Sequence, residues 1–211
     1  GLGDVYKRQS LKRLIIMVGC VRALAAALDI LERDGLEALS LRKVATAVGV
    51  SHAAPAHHFP TVQHLLTGLA TIGFTRFDQA MRAERESAAA DPAAQMRATE
   101  RAYLAFATGH PALFRLMFTA TLINWNDPSL EVPARAARTQ LTEICLPAAN
   151  LLGMRTPAEK AALERLVWSQ IHGQAHLEIE QQFGKPDGSN SAEPALDLTD
   201  LLFRNAAHRK P

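Results

Sequence analysis

Ser40-Leu41-Arg42-Lys43-Val44-Ala45-Thr46-Ala47-Val48-Gly49-Val50-Ser51-His52-Ala53-Ala54-Pro55-Ala56-His57-His58-Phe59-Pro60 is the stretch whose reading decides the fold. It reads as two short helices joined by a tight turn. Ser40 stands where an N-cap belongs, its hydroxyl able to accept from a free backbone N–H of the first turn. Leu41, Val44, Ala45 and Val48 recur at the 3, 4 and 7 spacings of one helical face. Gly49 follows where a helix stops, since glycine enters the left-handed conformation without a Cβ penalty. Val50 can plug the angle between the helices and Ser51 can cap the second. This order of helix, glycine turn and short polar helix is that of the helix-turn-helix, whose second helix enters the major groove of DNA. The plain alternative is a pair of adjacent helices in any α-helical domain.

Working outward, an apolar helix from Val21 to Asp34 ends at Gly35, and His58-Phe59-Pro60 leads into a long helix from Thr61. The matching residues are Ala26-Ala27-Leu28, Leu31, Asp34-Gly35-Leu36-Glu37-Ala38-Leu39-Ser40-Leu41-Arg42, Val44-Ala45, Gly49-Val50-Ser51 and His58-Phe59-Pro60. On these, the block from Ala25 to Leu69 resembles the N-terminal DNA-binding domain of TetR-family transcriptional regulators. The resemblance implies a recognition helix over about Ser51 to His58 and a double-stranded DNA operator as partner. Arg42 and Lys43 then become phosphate contacts. His52 and Ala53 are the candidates for base edges, His52 as donor or acceptor and Ala53 against a thymine methyl. Ser51, His57 and His58 complete the expected DNA-binding set.

Composition fits close-packed helices. Hydrophobic residues make up 48% of 211 residues and aromatics only 6%, with alanine abundant. No segment approaches the ~20 uncharged apolar residues of a membrane span. Leu14 to Cys20 comes nearest, but it is short and flanked by Lys12, Arg13 and Arg22. Two cysteines, Cys20 and Cys145, make a disulfide framework unexpected. No secretory signal with a cleavage site is read, so a cytoplasmic protein is expected. Gly1 to Gln9 stand apart. Asp4-Val5-Tyr6-Lys7-Arg8-Gln9 resembles translated sequencing-adapter read-through, and the rival reading is a disordered basic arm in which Lys7, Arg8, Lys12 and Arg13 reach a minor groove.

Beyond Thr61 the chain reads as helices with short breaks. One runs to about Ser87 on a stripe of Leu65, Leu66, Leu69, Ile72, Phe74, Phe77 and Met81. Asp91-Pro92 opens the next, His110-Pro111 another, and Asn124 to Pro128 is a loop. A helix from about Ser129 to Leu152 is expected to be disturbed at Pro133 and Pro147. Thr156-Pro157 starts one to Phe183, and a last one covers about Pro194 to His208. The expected fold is all-α, with about nine helices. Residues 10–65 form the helix-turn-helix domain, and residues 66–211 form a C-terminal effector-binding and dimerisation domain.

Tyr103-Leu104-Ala105-Phe106-Ala107, His110 to Phe118, and Trp168 with His172-Gly173 look like the effector domain of the TetR subgroup with a Trp-x-x-x-His-Gly signature. The resemblance implies a homodimer, a small-molecule effector and repression relieved by that effector. Trp168 and His172 lie four apart, on one helical face. They are expected either to line a cavity with Phe106, Leu113, Met117 and Phe118, or to fill a core in which Gly173 allows close helix approach. The dimer is expected to form through about 157–183 and 194–208, with Leu163, Leu166, Val167, Ile171, Leu196, Leu198, Leu201, Leu202 and Phe203 as its apolar surface.

Other chemistries find less in the sequence. His57, His58 and His64 cluster, and His172 with His176 has the spacing of paired helix ligands, but neither group has a nearby cysteine or a clear third carboxylate. No metal and no cofactor is therefore expected. There is no Gly-rich phosphate loop and no Gly-x-Ser-x-Gly elbow, so an enzyme is not expected. A net charge of +2 does not announce a nucleic-acid partner. The chain also has Ala56-His57 where the family pattern usually has tyrosine and a basic residue, and Val62 where lysine is common. These departures favour weaker DNA binding, reliance on dimer avidity, or histidines that bind better when protonated. The alternative function is a ligand-binding or interaction module of this fold that has lost operator binding.

Overall fold

The computed structural model describes residues 2–51, 58–183 and 198–207, with side chains from residue 18 to residue 203 of those spans. All regular structure among them is helical. Eight α-helices occur: α1 Leu2–Asp34, α2 Leu41–Val48, α3 Val62–Ser87, α4 Pro92–Gly109, α5 Pro111–Phe118, α6 Pro128–Leu151, α7 Pro157–Ile179 and α8 Leu198–Ala207, with a 3-10 turn at Leu36–Ala38. The chain is all-α, as the sequence implies, and the remaining expected helix falls on residues 52–57, outside the described span. No helix among the described residues is long and apolar enough to cross a membrane.

Most helix ends follow from local chemistry. Ser40 accepts from the Lys43 backbone N–H at 3.1 Å and starts α2. Gly49, at φ 70, ends it. The Val50 N–H reaches the Ala45 carbonyl at 3.1 Å and the Gly49 N–H reaches Thr46 at 3.2 Å, the paired bonds of a Schellman stop. Asp91 caps α4 through the Ala94 N–H at 2.8 Å, with Pro92 at the first helical position. Thr156 and Glu159 form a full capping box at α7. Each such cap contributes about 1 kcal/mol.

Three local expectations are corrected. α1 starts at Leu2, not near Val21, and runs helically through residues 2–9. α6 continues through Pro133 and Pro147. The carbonyls those prolines leave without a donor belong to Ser129 and Glu143, both exposed residues, where water can serve instead. Val50 does not plug an angle: it is an exposed hydrophobic.

The chain forms two compact units, residues 1–73 with 112–131, and residues 74–111 with 132–211. In the first, Ala27, Leu31, Val44, Leu65, Leu69 and Leu113 are fully buried. A Cβ at Gly68 would lie 2.9 Å from Leu24, so α1 and α3 approach closely there. A Cβ at Gly73 would lie 2.6 Å from Met117 Sδ, which seats α5 against α3. The buried Thr67 hydroxyl donates to the Gln63 carbonyl at 2.8 Å and accepts from the Asn124 N–H at 3.0 Å, holding the loop before α6.

In the second unit, Met96, Ile144, Cys145, Ala148, Ala149, Leu163, Val167 and Leu202 form the core. Burying one such branched side chain contributes about 1.5–3 kcal/mol. Arg97 pairs with Asp200 at 3.1 Å, and Thr199 donates to Glu100 at 2.9 Å, tying α8 to α4. This core corrects the expected dimer surface. Leu163, Val167, Ile171 and Leu202 are buried within the unit itself. Leu166, 55% exposed, with Leu177 and Leu201, is left facing outward.

Candidate DNA-binding and effector sites

The head is built around the start of α2. Arg42 and Lys43 occupy its first turn, on the solvent side of the face that buries Val44 and Ala45. Their electrostatics differ. Lys43 Nζ lies 2.7 Å from Asp34 Oδ2, and Arg33 grips both oxygens of the same carboxylate at 2.9 and 3.0 Å. Hydrogen bonds from Arg33 and then Lys43 hold the Asp34 carboxyl well below the usual carboxylate range. This network staples the end of α1 to α2 and offsets the Lys43 charge. Arg42 is exposed and pairs with no carboxylate among the described residues. A cation that sequence reasoning missed stands nearby: the exposed Arg22 guanidinium donates to the Val48 carbonyl at 3.4 Å, beside the turn. Nothing in the spacing of α1 singles Arg22 out.

The other expected contacts are distributed as follows. Ser51 is exposed. His52, Ala53 and His57 lie outside the described residues. His58 is half-buried, its Nε2 only 3.1 Å from where a Cβ on Gly19 would sit, and its ring tilts on Phe59 at 6.4 Å. His64 is engaged by the Thr61 hydroxyl at 2.8 Å. No group of three His, Cys, Asp or Glu that could hold a metal occurs among the described residues.

The effector-side residues divide between the units. Leu113 and Met117 are fully buried in the first, and Phe118 packs at a tilt on Phe114, ring centroids 5.0 Å apart. Phe106, Trp168 and His172 belong to the second. Phe106 meets Phe77 at 5.1 Å, and Phe77 meets Tyr103 edge-on at 4.7 Å. Trp168 is 37% exposed, which is too open for a sealed core. A Cβ on Gly173 would meet nothing within 4 Å, so close helix approach does not explain this glycine within the chain.

Tyr103 explains the Trp-His spacing instead. Its hydroxyl lies 2.8 Å from His172 Nδ1 and also hydrogen-bonds Trp168. His172 Nε2 in turn lies 3.3 Å from His176 Nε2. An indole N–H can only donate, so Trp168 donates to Tyr103 Oη. Burial raises the Tyr103 pKa and keeps the phenol protonated. Burial, and then the nearby His176, lower the His172 pKa to about 4 and keep that imidazole neutral. A neutral imidazole both donates and accepts, which lets the chain of bonds run on to His176. Sequence spacing found Trp168 and His172, and their partner Tyr103 is visible only in three dimensions.

A separate cleft of about 350 Å³ in the second unit is lined by Arg85, Glu86, Pro92, Gln95, Glu143, Ile144 and Pro147, with Arg85 paired to Glu143. Burial pushes the nearby core thiol of Cys145 up to about 12, leaving it unreactive.

Comparison with known proteins places both halves. Residues 23–68 match the model of bacterial regulatory proteins of the tetR family, and residues 96–199 match the tetracyclin repressor-like C-terminal domain. No curated protein sequence matches the chain. Among solved structures, a protein of unknown function from Rhodococcus sp. RHA1 shares 28% identity at a TM-score of 0.67, over 90% of this chain and 92% of that one. A TetR family transcription regulator from Marinobacter aquaeolei VT8 shares 19% at a TM-score of 0.60, over 92% and 96%. AibR, in complex with isovaleryl coenzyme A and operator DNA, shares 17% at 0.57, over 89% and 95%. With both the head and the C-terminal half accounted for, the chain belongs to the TetR family of transcriptional regulators, with an N-terminal DNA-binding domain and a C-terminal ligand-binding domain.

Proposed function

We propose that the chain is a homodimeric repressor in the cytoplasm that leaves a near-palindromic operator when a small molecule binds its C-terminal half. In this reading residues 10–65 are the DNA-binding head and residues 66–211 the effector-binding and dimerisation body, of the subgroup marked by Trp168 and His172-Gly173. It assigns the chain no catalytic role. The observation that carries the reading is the built first half of the helix-turn-helix: a capped α2, a left-handed Gly49 stop, and Arg42 exposed at the first turn. Arg42 contacts phosphate, supported by Lys43, Ser51, His57 and His58, while His52 and Ala53 reach base edges. Dimerisation uses the outward apolar residues of α7 and α8, chiefly Leu166, Leu177 and Leu201. The effector is an apolar or amphipathic molecule held in the second unit, near Phe106, Trp168 and His172. Complexes such as that of AibR with an acyl-coenzyme A are a guide to the size of ligand this fold accepts. Effector relieves repression by favouring a body conformation with the wrong head separation, since only differential affinity moves the equilibrium.

A salt-dependent gel shift against the DNA flanking the protein's own gene tests the reading. Binding there should exceed binding to random DNA by about 10³-fold or more and weaken steeply with salt. Equal, salt-insensitive retention of both would favour the second reading, a module of this fold without operator binding. The Lys43–Asp34 ion pair, which reduces the cationic charge of the head, is the observation on that side.

A further inference from the structure

We propose that His172 and His176 form the protein's half of a transition-metal site on α7. Their Nε2 atoms lie 3.3 Å apart, with ring centroids 4.7 Å apart. A tetrahedral ion bound through Zn–N bonds of ~2.0–2.1 Å separates its ligand atoms by roughly 3.3–3.4 Å, so the two nitrogens already span one edge of such a site. The i, i+4 spacing holds both rings on one rigid helix face, and both residues are half-buried, leaving a side open to water.

The surroundings suit the role. A ligating histidine is usually oriented through its other ring nitrogen, and Tyr103 Oη sits 2.8 Å from His172 Nδ1. Tyr103 is in turn hydrogen-bonded to Trp168, so Tyr103 is a positioning residue for the site. Without metal, one imidazole donates its Nε2 proton to the other. On metal binding, that imidazole moves the proton to its own Nδ1, so both Nε2 lone pairs face the ion. Imidazole pairs select Zn²⁺, Ni²⁺ and Cu²⁺ over Mg²⁺ and Ca²⁺. No third His, Cys, Asp or Glu joins the pair among the described residues, and water takes the remaining positions. This inference is independent of operator binding.

The test uses the full chain without a histidine tag, stripped with chelator and titrated with Zn²⁺, Ni²⁺ and Cu²⁺ by calorimetry. One ion per chain is expected. Affinity should fall by about tenfold or more in His176→Gln and His172→Gln, and by about tenfold in Tyr103→Phe, while His64→Gln matches the native chain. Circular dichroism confirms that each variant is folded; should His172→Gln fail to fold, the half-exposed His176 carries the comparison. Electron paramagnetic resonance of the Cu²⁺ form should show two imidazole nitrogens in the native chain and one in His176→Gln. Native affinity in His176→Gln, a loss in His64→Gln instead, or no ion bound at about 100 µM, an affinity worth under ~5.5 kcal/mol, would overturn the proposal.

Discussion

Three glycines separate backbone strain from packing: alanine should destabilise at Gly49 and Gly73, for different reasons, and stabilise at Gly109. Gly49 sits at φ 70 with nothing within 4 Å of a Cβ, so only the backbone resists substitution. A left-handed alanine costs roughly 1–2 kcal/mol, offset by ~0.4–1 kcal/mol from a less disordered unfolded chain. Gly49→Ala should therefore lose about 1 kcal/mol, or ~2–4 °C for a chain of this size. Gly49→Asn should lose less, since asparagine visits that region. Gly109 ends α4 with equally open surroundings but no positive φ, and Gly109→Ala should gain about 0.5 kcal/mol. Gly73 is helical and crowded: its Cβ would meet Met117 Sδ at 2.6 Å, Met117 Cγ at 2.8 Å and Leu113 Cδ1 at 3.2 Å. Both neighbours are fully buried, so overpacking of ~1–3 kcal/mol outweighs the helical gain. Urea denaturation followed by circular dichroism, at one protein concentration, reads all of them. A Gly49→Ala variant as stable as the native chain would refute the backbone argument, and shifts of one sign at all three sites would refute the separation.

The other perturbations read the head, the assembly and the histidines. Arg42→Ala should weaken binding to operator and random DNA alike and reduce the salt slope by ~1 in a gel-shift series, whereas loss on the operator alone would give it a base-reading role. Leu202, 8% exposed in the second core, should unfold the chain when changed to Asp. Leu166→Asp should instead leave folded monomers by light scattering, and a native dimer in that variant would remove the Leu166 face from the interface. With its pKa lowered from 6.5 to about 4, His172 stays neutral in the folded chain where the unfolded chain takes up a proton. Stability from this group is full above pH 6.5 and lost as the pH falls toward 4. The native chain should lose more stability than His172→Gln across that window in chemical denaturation, and parallel profiles would contradict the assignment.

What was legible in the sequence is what short-range chemistry fixes. Ser40, Gly49, Asp91-Pro92 and Thr156-Pro157 carry their reasons within four residues, and the helices begin or end at each. The early start of α1 was not legible, because the glycine-bearing stretch before Val21 lacks strong stops and a weak helix former is not a terminus. Apolar periodicity named the buried face of α7 but not what covers it. Leu163 and Val167 look as suited to a partner subunit as to α6 and α8 until the core with Ile144 and Leu202 is seen. Trp168 shows the same limit. Its spacing to His172 was visible, but the hydroxyl that joins them comes from Tyr103, about 70 residues away in sequence on α4.

The charge balance of the head bears on how the proposed repressor works. Asp29, Arg33, Asp34 and Lys43 form a nearly neutral network at the α1–α2 junction, so its lysine is engaged before any DNA arrives. Neutralising a phosphate with Lys43 means breaking a 2.7 Å ion pair, leaving Asp34 to Arg33 alone beside a polyanion. Arg42 and Arg22 are then the readier cations of each described head. At a slope near 0.9 per phosphate, these two cations give each described head a slope of ~2, and two linked heads double it and add the gain of an intramolecular second contact. In the proposed mechanism, losing that second contact removes the avidity gain without any change at the DNA-contacting residues themselves.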